Sequence, residues 1–189
     1  YTVTQNLSVN IAANQYTLTL DANGGAFADS SATKTKPVEY KGTYGDLDAP
    51  ARGGYAFDGW FTAKTDGAKI EEDHSVEVKE NTTIYAHWTA NTYIVKYDAN
   101  GGSGTMDDQR YAYGTYTYLI NNSYVKDGYK FIGWNTMPDG SGISYTENQQ
   151  IKVTDNLVLY AQWARNRYIV KFDANGGIGT MNDQIFETG

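Results

Sequence analysis

One pattern of apolar and polar residues occurs three times along this chain of 189 residues. At residues 93–97 the first, third and fifth positions are large and apolar, while Ile94 and Lys96 lie between them. A period of two predicts a half-buried strand. The sequence Asp-Ala-Asn-Gly-Gly follows at 98–102, and these residues tolerate positive φ and hydrogen-bond their own backbone, which predicts a tight turn. The same strand and turn begin at Tyr16 and Tyr168.

Two further motifs recur in the same order and define a long repeat. The sequence Gly-Tyr-x-Phe-x-Gly-Trp occurs at 54–60 and 128–134, and Tyr-Ala-x-Trp occurs at 85–88 and 160–163. These spacings predict two complete repeats, residues 16–92 and 93–167. Residues 1–15 match the end of a repeat and predict the C-terminal hairpin of a truncated copy. Residues 168–189 match the beginning and predict the N-terminal hairpin of another.

Within each repeat the patterning predicts a mainly β fold, α+β at most. In the first repeat we expect strands at 16–21, 36–41, 55–61, 75–79 and 82–88, with equivalents in the second. The last two are expected to form a hairpin that turns at 80–81, or at 155–156 in the second repeat. A short helical turn is predicted near 43–48 and 115–121 from a Gly-Thr start.

The length of the repeat indicates independent modules. A unit of this size can bury a small core of its own, unlike the shorter repeats of solenoids. The linkers at 89–92 and 164–167 contain neither Gly nor Pro, so restricted hinges are expected. We therefore predict beads on a string, with two complete repeats reaching roughly 60–70 Å end to end.

Composition supports β-structure and excludes several classes of protein. The 17 Tyr and 4 Trp suit pleated, half-exposed surfaces. The absence of Cys excludes disulfides, thiolate metal sites and a Cys nucleophile. A net charge of −7 without charged blocks argues against nucleic acid and anionic membranes as partners. No apolar run approaches the roughly 20 residues that span a bilayer, so no membrane insertion is expected in this segment.

The three motifs together resemble the B-repeat of internalin-type bacterial surface proteins, the Listeria–Bacteroides repeat. The resemblance covers nearly the whole chain, although residues 10–13 read Asn-Ile-Ala-Ala where the family would show Tyr-Ala-x-Trp. It implies tandem β-grasp-like modules, similar to SUMO and ubiquitin. It also implies an extracellular protein of the bacterial cell surface, or a secreted one, built of many modules and without catalytic activity.

The turn residues are the first candidate site, because Asp and Asn oxygens are ligands that calcium prefers. The candidates recur in phase: Asp21, Asp98, Asp173, Asn23, Asn100 and Asn175. Two ligands per loop are too few, and hydrogen bonding within an Asx turn explains both residues. We therefore expect no metal and no cofactor.

Other candidate chemistry fails to recur. His74 and His87 have Gln149 and Gln162 as counterparts, which argues against zinc and against His-based acid/base catalysis. Lys96 and Lys171 raise the possibility of an isopeptide link, but the first repeat has Thr19 there, and alternation predicts a solvated Lys. We expect no catalytic residue.

Aromatic residues are candidates for the core and for contacts. Trp60 and Trp134, each after a Gly that could form a bulge, are predicted to pack in the core, as are Trp88 and Trp163. A Tyr-rich set is the better candidate for an exposed contact surface: Tyr40, Tyr44, Tyr111, Tyr113, Tyr116 and Tyr118.

Three hypotheses of function remain. The first is a structural spacer whose contacts are neighbouring repeats of the same chain. The second is an adhesive module that binds a host protein or glycan through Tyr-rich faces or an open sheet edge. The third, an enzyme, is disfavoured because no polar constellation recurs in phase.

Overall fold

The computed structural model describes residues 14–188, and this part of the chain consists of β-strands and loops without a helix. The prediction of a mainly β protein is confirmed. The expected hairpin at 1–15 lies outside the described residues apart from Asn14 and Gln15. The chain divides into two compact units between Asn91 and Thr92.

The first unit contains a five-stranded sheet in the order β2-β1-β5-β3-β4. Its strands are β1 (Gln15–Asp21), β2 (Thr33–Glu39), β3 (Tyr55–Phe61), β4 (Lys69–Ile70) and β5 (Thr82–Ala90). β1 and β5 run parallel in the middle of the sheet, with Leu20 opposite Ile84, and the other pairs are antiparallel. The first and last strands of the repeat therefore form its centre.

The second unit repeats this topology. Its strands are β6 (Thr92–Asp98), β7 (Gln109–Ala112), β8 (Tyr116–Tyr118), β9 (Tyr129–Asn135), β10 (Ser144–Tyr145), β11 (Gln150–Lys152), β12 (Leu157–Arg165), β13 (Arg167–Val170) and β14 (Gln184–Glu187). The main sheet has the order β10-β9-β12-β6-β7, in which β6 and β12 are the parallel pair. Two small antiparallel sheets, β8 with β11 and β13 with β14, complete the unit.

The predicted hairpin between 75–79 and 82–88 is wrong. Both edges of β5 are occupied, by β1 on one side and by β3 on the other. The preceding segment pairs elsewhere: Ser75 bridges to Thr43, and in the second unit β11 pairs with β8. A short strand that was not predicted, β4, pairs with β3 instead.

The predicted helical turns near 43–48 and 115–121 are also wrong, because neither segment is helical. The backbone N–H of Tyr44 donates to the carbonyl of His74, and that of Leu119 donates to Gln149. The Lys36 ammonium further holds the carbonyls of Tyr44 and Asp46 at 2.9 and 2.7 Å. Long-range partners therefore take up the backbone groups that a helix would pair locally.

The linkers, predicted to span four residues, consist of one residue each in the structure. β5 ends at Ala90 and β6 begins at Thr92, so only Asn91 lies between them. Only Asn166 separates β12 from β13. The backbone N–H groups of Asn91 and Asn166 donate to the carbonyls of Gly54 and Gly128.

Each unit has a core of its own, in which one buried Trp is surrounded by residues of strands and loops. The buried apolar residues of the first core are Leu18, Leu20, Ala22, Phe27, Val38, Tyr44, Leu47, Trp60, Val76, Ile84 and Ala86. Those of the second are Val95, Tyr97, Leu119, Tyr124, Trp134, Val153, Leu159 and Ala161. Burial of this apolar surface is the main force that stabilises each unit.

Candidate functional site

The Asp-Ala-Asn-Gly-Gly segment forms the predicted Asx turn in all three copies. In each, a carboxylate oxygen of the Asp accepts a hydrogen bond of 2.8 Å from the backbone N–H of the Asn two residues later: Asp21 with Asn23, Asp98 with Asn100, Asp173 with Asn175. The three Asn residues have φ of 46–47°, in the left-handed region that Asn tolerates. No cluster of three or more potential metal-ligating side chains occurs within residues 14–188. That the protein needs no metal stays a prediction.

The Asn side chain fastens this turn to the rest of the repeat. Asn23 donates through Nδ2 to the carbonyls of Ala86 and Lys64, at 2.9 and 3.1 Å. Asn100 donates to those of Ala161 and Pro138, at 2.9 and 2.8 Å. The amide of one Asn therefore joins the first turn of a repeat to its last strand, the closing strand (β5 or β12). The same amide joins the turn to the loop that follows the central Trp, Trp60 or Trp134.

The second Gly of the turn makes room for the Trp of the closing strand. A Cβ on Gly25 would lie 2.5 Å from Cζ2 of Trp88, and one on Gly102 would lie 2.8 Å from Cζ2 of Trp163. The indole N–H of each Trp donates to the carbonyl of the Ala in the turn, at 3.0 Å for Trp88 and 2.9 Å for Trp163. The first and last motifs of the repeat are thus in direct contact.

The middle motif supplies the central Trp by way of a bulge, as predicted. Opposite β5, the register of β3 shifts between Phe57 and Gly59, so Asp58 is the extra residue. The same shift occurs before Gly133, which has φ of 140°. Trp60 is 3% exposed and Trp134 is 0% exposed, which confirms their prediction as core residues.

The rings around Trp134 form an edge-to-face cluster. Tyr97 and Phe131 lie 4.9 and 5.0 Å from it between ring centroids, at steep angles. Tyr124 also packs on Trp134, and its hydroxyl donates to the carbonyl of Tyr97 at 2.7 Å. Burial raises the pKa of both Tyr97 and Tyr124 above the ordinary value. Their hydroxyls are therefore neutral structural groups at physiological pH.

A cleft lies beside the bulge in both repeats. Its volume is about 420 Å³ next to Trp60 and about 370 Å³ next to Trp134. Among the described residues, the buried indole N–H groups of both Trp residues lack a hydrogen-bond partner.

The polar residues of the two clefts differ. Lys69 and Glu71 line the first cleft, whereas Ser144 and Thr146 line the second at the same positions of the register. Of the groups with a shifted pKa, Asp139 lies nearby in a turn, where hydrogen bonds from the hydroxyl and backbone N–H of Ser141 lower its pKa. The clefts thus share an aromatic wall, and of the acidic and basic residues that line the first cleft only Glu72 recurs as a carboxylate, Glu147, beside the bulge of the second repeat.

The two His residues have structural roles that Gln fills in the second repeat. Nδ1 of His74 accepts a hydrogen bond from the backbone N–H of Glu71, and Oε1 of Gln149 accepts the equivalent bond from Thr146. His87 contacts the carbonyl of Ala63 at 2.8 Å, and Gln162 donates to that of Met137. Gln reproduces these hydrogen bonds, but the ring of His87 also stacks on Phe61 at 3.9 Å between ring centroids, and the counterpart of Phe61 in the second repeat is Asn135.

A recurring carboxylate was missed by sequence reasoning. Glu72 accepts a hydrogen bond of 3.0 Å from the backbone N–H of Leu47, and Glu147 accepts one of 2.7 Å from Asn122. The signal was available, because the two Glu residues recur at the spacing of the repeat. Their partners are loop N–H groups, so these carboxylates hold the long loop of each repeat.

The remaining candidates differ in exposure: Tyr40, Tyr111 and Tyr113 are half-buried, and Tyr111 packs against the second core. Lys96 is exposed and forms an ion pair of 3.5 Å with Asp108, and Lys171 is exposed as well. Tyr116 and Tyr118 are 66% and 60% exposed on β8. The prediction that Tyr44 is an exposed contact residue is wrong, since it is 5% exposed in the core.

The family model of the Listeria–Bacteroides repeat domain matches residues 16–87 and again residues 93–162. The two matches cover more than half of the chain. The chain belongs to the Listeria–Bacteroides repeat family. The three motifs that meet around the buried Trp are therefore the packing elements of this repeat.

Curated relatives place this repeat in longer proteins. A protein of Evansella cellulosilytica named as a Gly-rich membrane protein is 35% identical over 137 residues, which is 67% of this chain and 16% of the relative. A second, named as a membrane protein of the same organism, is 34% identical over 166 residues, or 87% of this chain and 23% of the relative. Internalin H of Listeria monocytogenes is 33% identical over 120 residues, 62% of this chain and 21% of internalin H.

The chain thus spans less than a quarter of the length of each of these relatives. Residues 14–188 contain no helix that is long and apolar enough to span a bilayer.

Proposed function

We propose that this chain is a non-catalytic spacer of a bacterial surface or secreted protein, in which tandem repeats hold other domains away from the cell. We further propose that each repeat is a β-grasp-like module in which extended loops replace the helix. The parallel pairing of the first and last strands, β1 with β5 and β6 with β12, supports the second proposal.

The observation that carries the spacer function is that each repeat closes its own core. The recurring side chains make their contacts within their own repeat. In the second repeat, Asn100 binds the closing strand, Trp134 fills the core and Trp163 donates to the turn. A single Asn separates the last strand of one repeat from the first strand of the next. Self-contained modules joined by a linker of one residue suit a protein that holds other domains at a distance from the cell rather than one that binds a substrate.

An extracellular location is supported by the relatives, two of which are named as membrane proteins and one as an internalin. Of the acidic and basic residues that line the first cleft only Glu72 recurs as a carboxylate, and both it and Glu147 accept hydrogen bonds from loop N–H groups, which supports a role without catalysis.

Small-angle scattering on the monomeric chain tests the spacer. Modules of about 75 residues have a diameter near 30 Å, so a chain with two complete repeats is expected to reach roughly 60–70 Å. A maximum dimension of about 45 Å, that of a compact sphere of this length, would refute the spacer.

Adhesion is the second candidate, favoured by the exposed pair Tyr116 and Tyr118 on β8. Exposed Tyr rings offer large contact area at a low entropic cost. The double variant Tyr116→Ser and Tyr118→Ser should then lose capture of a host protein or glycan, while the equally exposed Ile143→Ser should retain it. Absence of any capture by the native chain argues for the spacer alone.

A further inference from the structure

Each complete repeat begins and ends on two strands that lie side by side. In the second repeat these are β6 and β12, which run parallel over four residue pairs, from Leu157 opposite Val95 to Tyr160 opposite Asp98. β1 and β5 make the same contact in the first repeat, also over four pairs. A single residue separates β5 from β6 and β12 from β13. Tension along the backbone therefore reaches the first and the last strand of a repeat directly.

The parallel direction decides how this pair of strands is loaded. Tension pulls on the start of the first strand and on the end of the last strand, and in a parallel pair these two points lie at opposite ends of the shared contact. The strands are then sheared past each other. Because the hydrogen bonds of a parallel pair are evenly spaced along the strands, they share the load and break together. A pair pulled apart from one end opens bond by bond, at a much lower force.

An Asn side chain ties the two strands together at one end of this contact. Oδ1 of Asn156, just before the closing strand, accepts a hydrogen bond of 2.9 Å from the backbone N–H of Ile94 in β6. In the first repeat Oδ1 of Asn81 accepts one of 2.8 Å from the N–H of Thr17 in β1. The bond resists sliding of the first strand past the closing strand, because sliding separates its donor from its acceptor.

The turn after the first strand ties the strands together at the other end. The amide of Asn100 and the indole N–H of Trp163 each make a hydrogen bond of 2.9 Å between this turn and β12. Asn23 and Trp88 do the same for β5 in the first repeat, at 2.9 and 3.0 Å. The side chains that recur in phase thus connect the two strands that receive the tension.

Apolar residues shield one face of the contact from water. Val95 and Leu159 are 1% and 0% exposed, and Leu20 and Ile84 of the first repeat are 2% exposed each. Hydrogen bonds beside such a core are electrostatically stronger than in water. Water also has little access from this side to replace a strained bond between the strands.

We propose that each complete repeat is a mechanical clamp, which resists tension between its two ends through the shear of its first and last strands. A spacer between a cell and a bound surface carries the tension between them, so a clamp in each repeat keeps its length constant. This role goes beyond that of a spacer, because it depends on strand direction within one repeat and not on the length of the array.

Force spectroscopy on the full chain, held by its two ends, measures this resistance. Each complete repeat should unfold in one step that releases about 75 residues. Such a step should lengthen the chain by roughly 230 Å, the extended length of the repeat minus its folded diameter.

The direction of pulling separates shear from overall stability. The chain contains no Cys, so two introduced Cys residues define the points of attachment. Thr92→Cys with Arg167→Cys shears the second repeat, from the start of β6 to a point just after β12, whereas Thr92→Cys with Asp155→Cys pulls β6 and β12 apart from the same end. All three positions are exposed. The rupture force should be several times higher for the first pair.

Matched variants test the Asn that ties the strands together. Asn156→Ala should lower the rupture force of the second repeat, while the first repeat in the same molecule ruptures at its native force. The control is Val153→Ala, because Val153 is 3% exposed in the second core but lies outside β6 and β12. It should lower the unfolding free energy in denaturant more than Asn156→Ala does, and the rupture force less. The two measurements differ because forced unfolding is governed by the rate of unfolding and not by equilibrium stability.

Two outcomes would overturn the clamp. The first is an equal rupture force in the two directions of pulling. The second is a rupture force that Val153→Ala lowers more than Asn156→Ala, because the resistance would then come from the core as a whole. Either result in a chain that scattering shows to be extended leaves the spacer in place, whereas a compact chain with a direction-dependent force retains the clamp and refutes the spacer.

Discussion

Replacing Asn100 by Gly tests whether the turn is held by its side chain or by its backbone. Gly adopts the φ of 47° without strain, so the turn can persist. The substitution removes the amide that donates to the carbonyls of Ala161 and Pro138. Loss of these two bonds separates the first turn of the repeat from its closing strand.

The magnitude follows from the surroundings of the two carbonyl groups. Ala161 is 0% exposed, and leaving its buried carbonyl without this donor costs about 1–3 kcal/mol. The bond to Pro138 is exposed, so water replaces it at little cost. Greater freedom of Gly in the unfolded chain adds about 0.5–1 kcal/mol. We expect the second unit to lose about 1.5–4 kcal/mol of unfolding free energy.

Asn175→Gly is the matched control. Asn175 has the same φ and the same hydrogen bond to its Asp as Asn100. The hairpin that contains it has no closing strand among the described residues. Asn175→Gly should therefore lower the unfolding free energy only through the greater freedom of Gly in the unfolded chain, by about 0.5–1 kcal/mol.

Denaturant unfolding followed by Trp fluorescence measures these differences, because each unit contains two Trp residues. Native-state amide exchange then assigns the loss to the second unit. Equal destabilisation by Asn100→Gly and Asn175→Gly would refute the reasoning, since the cost would then arise in the turn or the unfolded chain.

Further predictions concern the core, the close contact of Gly with Trp, the His residues and metal. Trp134→Ala should destabilise the second unit by about 3–5 kcal/mol and leave the transition of the first unit nearly unchanged; one merged transition would contradict this. Gly102→Ala should destabilise by more than 1 kcal/mol because its Cβ would meet the Trp ring, whereas Gly53→Ala, at an open position, should be neutral in thermal unfolding. His74→Gln should change stability by less than about 0.5 kcal/mol, because Gln149 accepts the equivalent hydrogen bond in the second repeat; a larger loss would give the ring a role of its own. Dialysis against EDTA should leave the melting temperature unchanged, and a fall of many degrees would show that the turns hold a metal.

The motifs themselves were readable from the sequence. Alternation placed β1, β3, β5 and their equivalents with small errors at the ends, and the Asx turns and bulges formed where Asn and Gly had indicated them. The core position of Trp134 followed from the same pattern. These features depend on residues that are neighbours in sequence, so local propensity is enough to predict them.

Strand pairing was decided by the tertiary structure. The segment at 75–79 looked like a hairpin partner of β5, but β1 and β3 occupy both edges of that strand. The residues at 43–48 looked like a helical turn, yet Lys36 and Glu72 hold this loop from distant positions. A period of two tells which face of a strand is apolar, but it carries no information on which strand lies beside it. That choice follows from the burial of a shared core by residues far apart in sequence, and it also decides that Tyr44 is buried while Tyr116 is exposed.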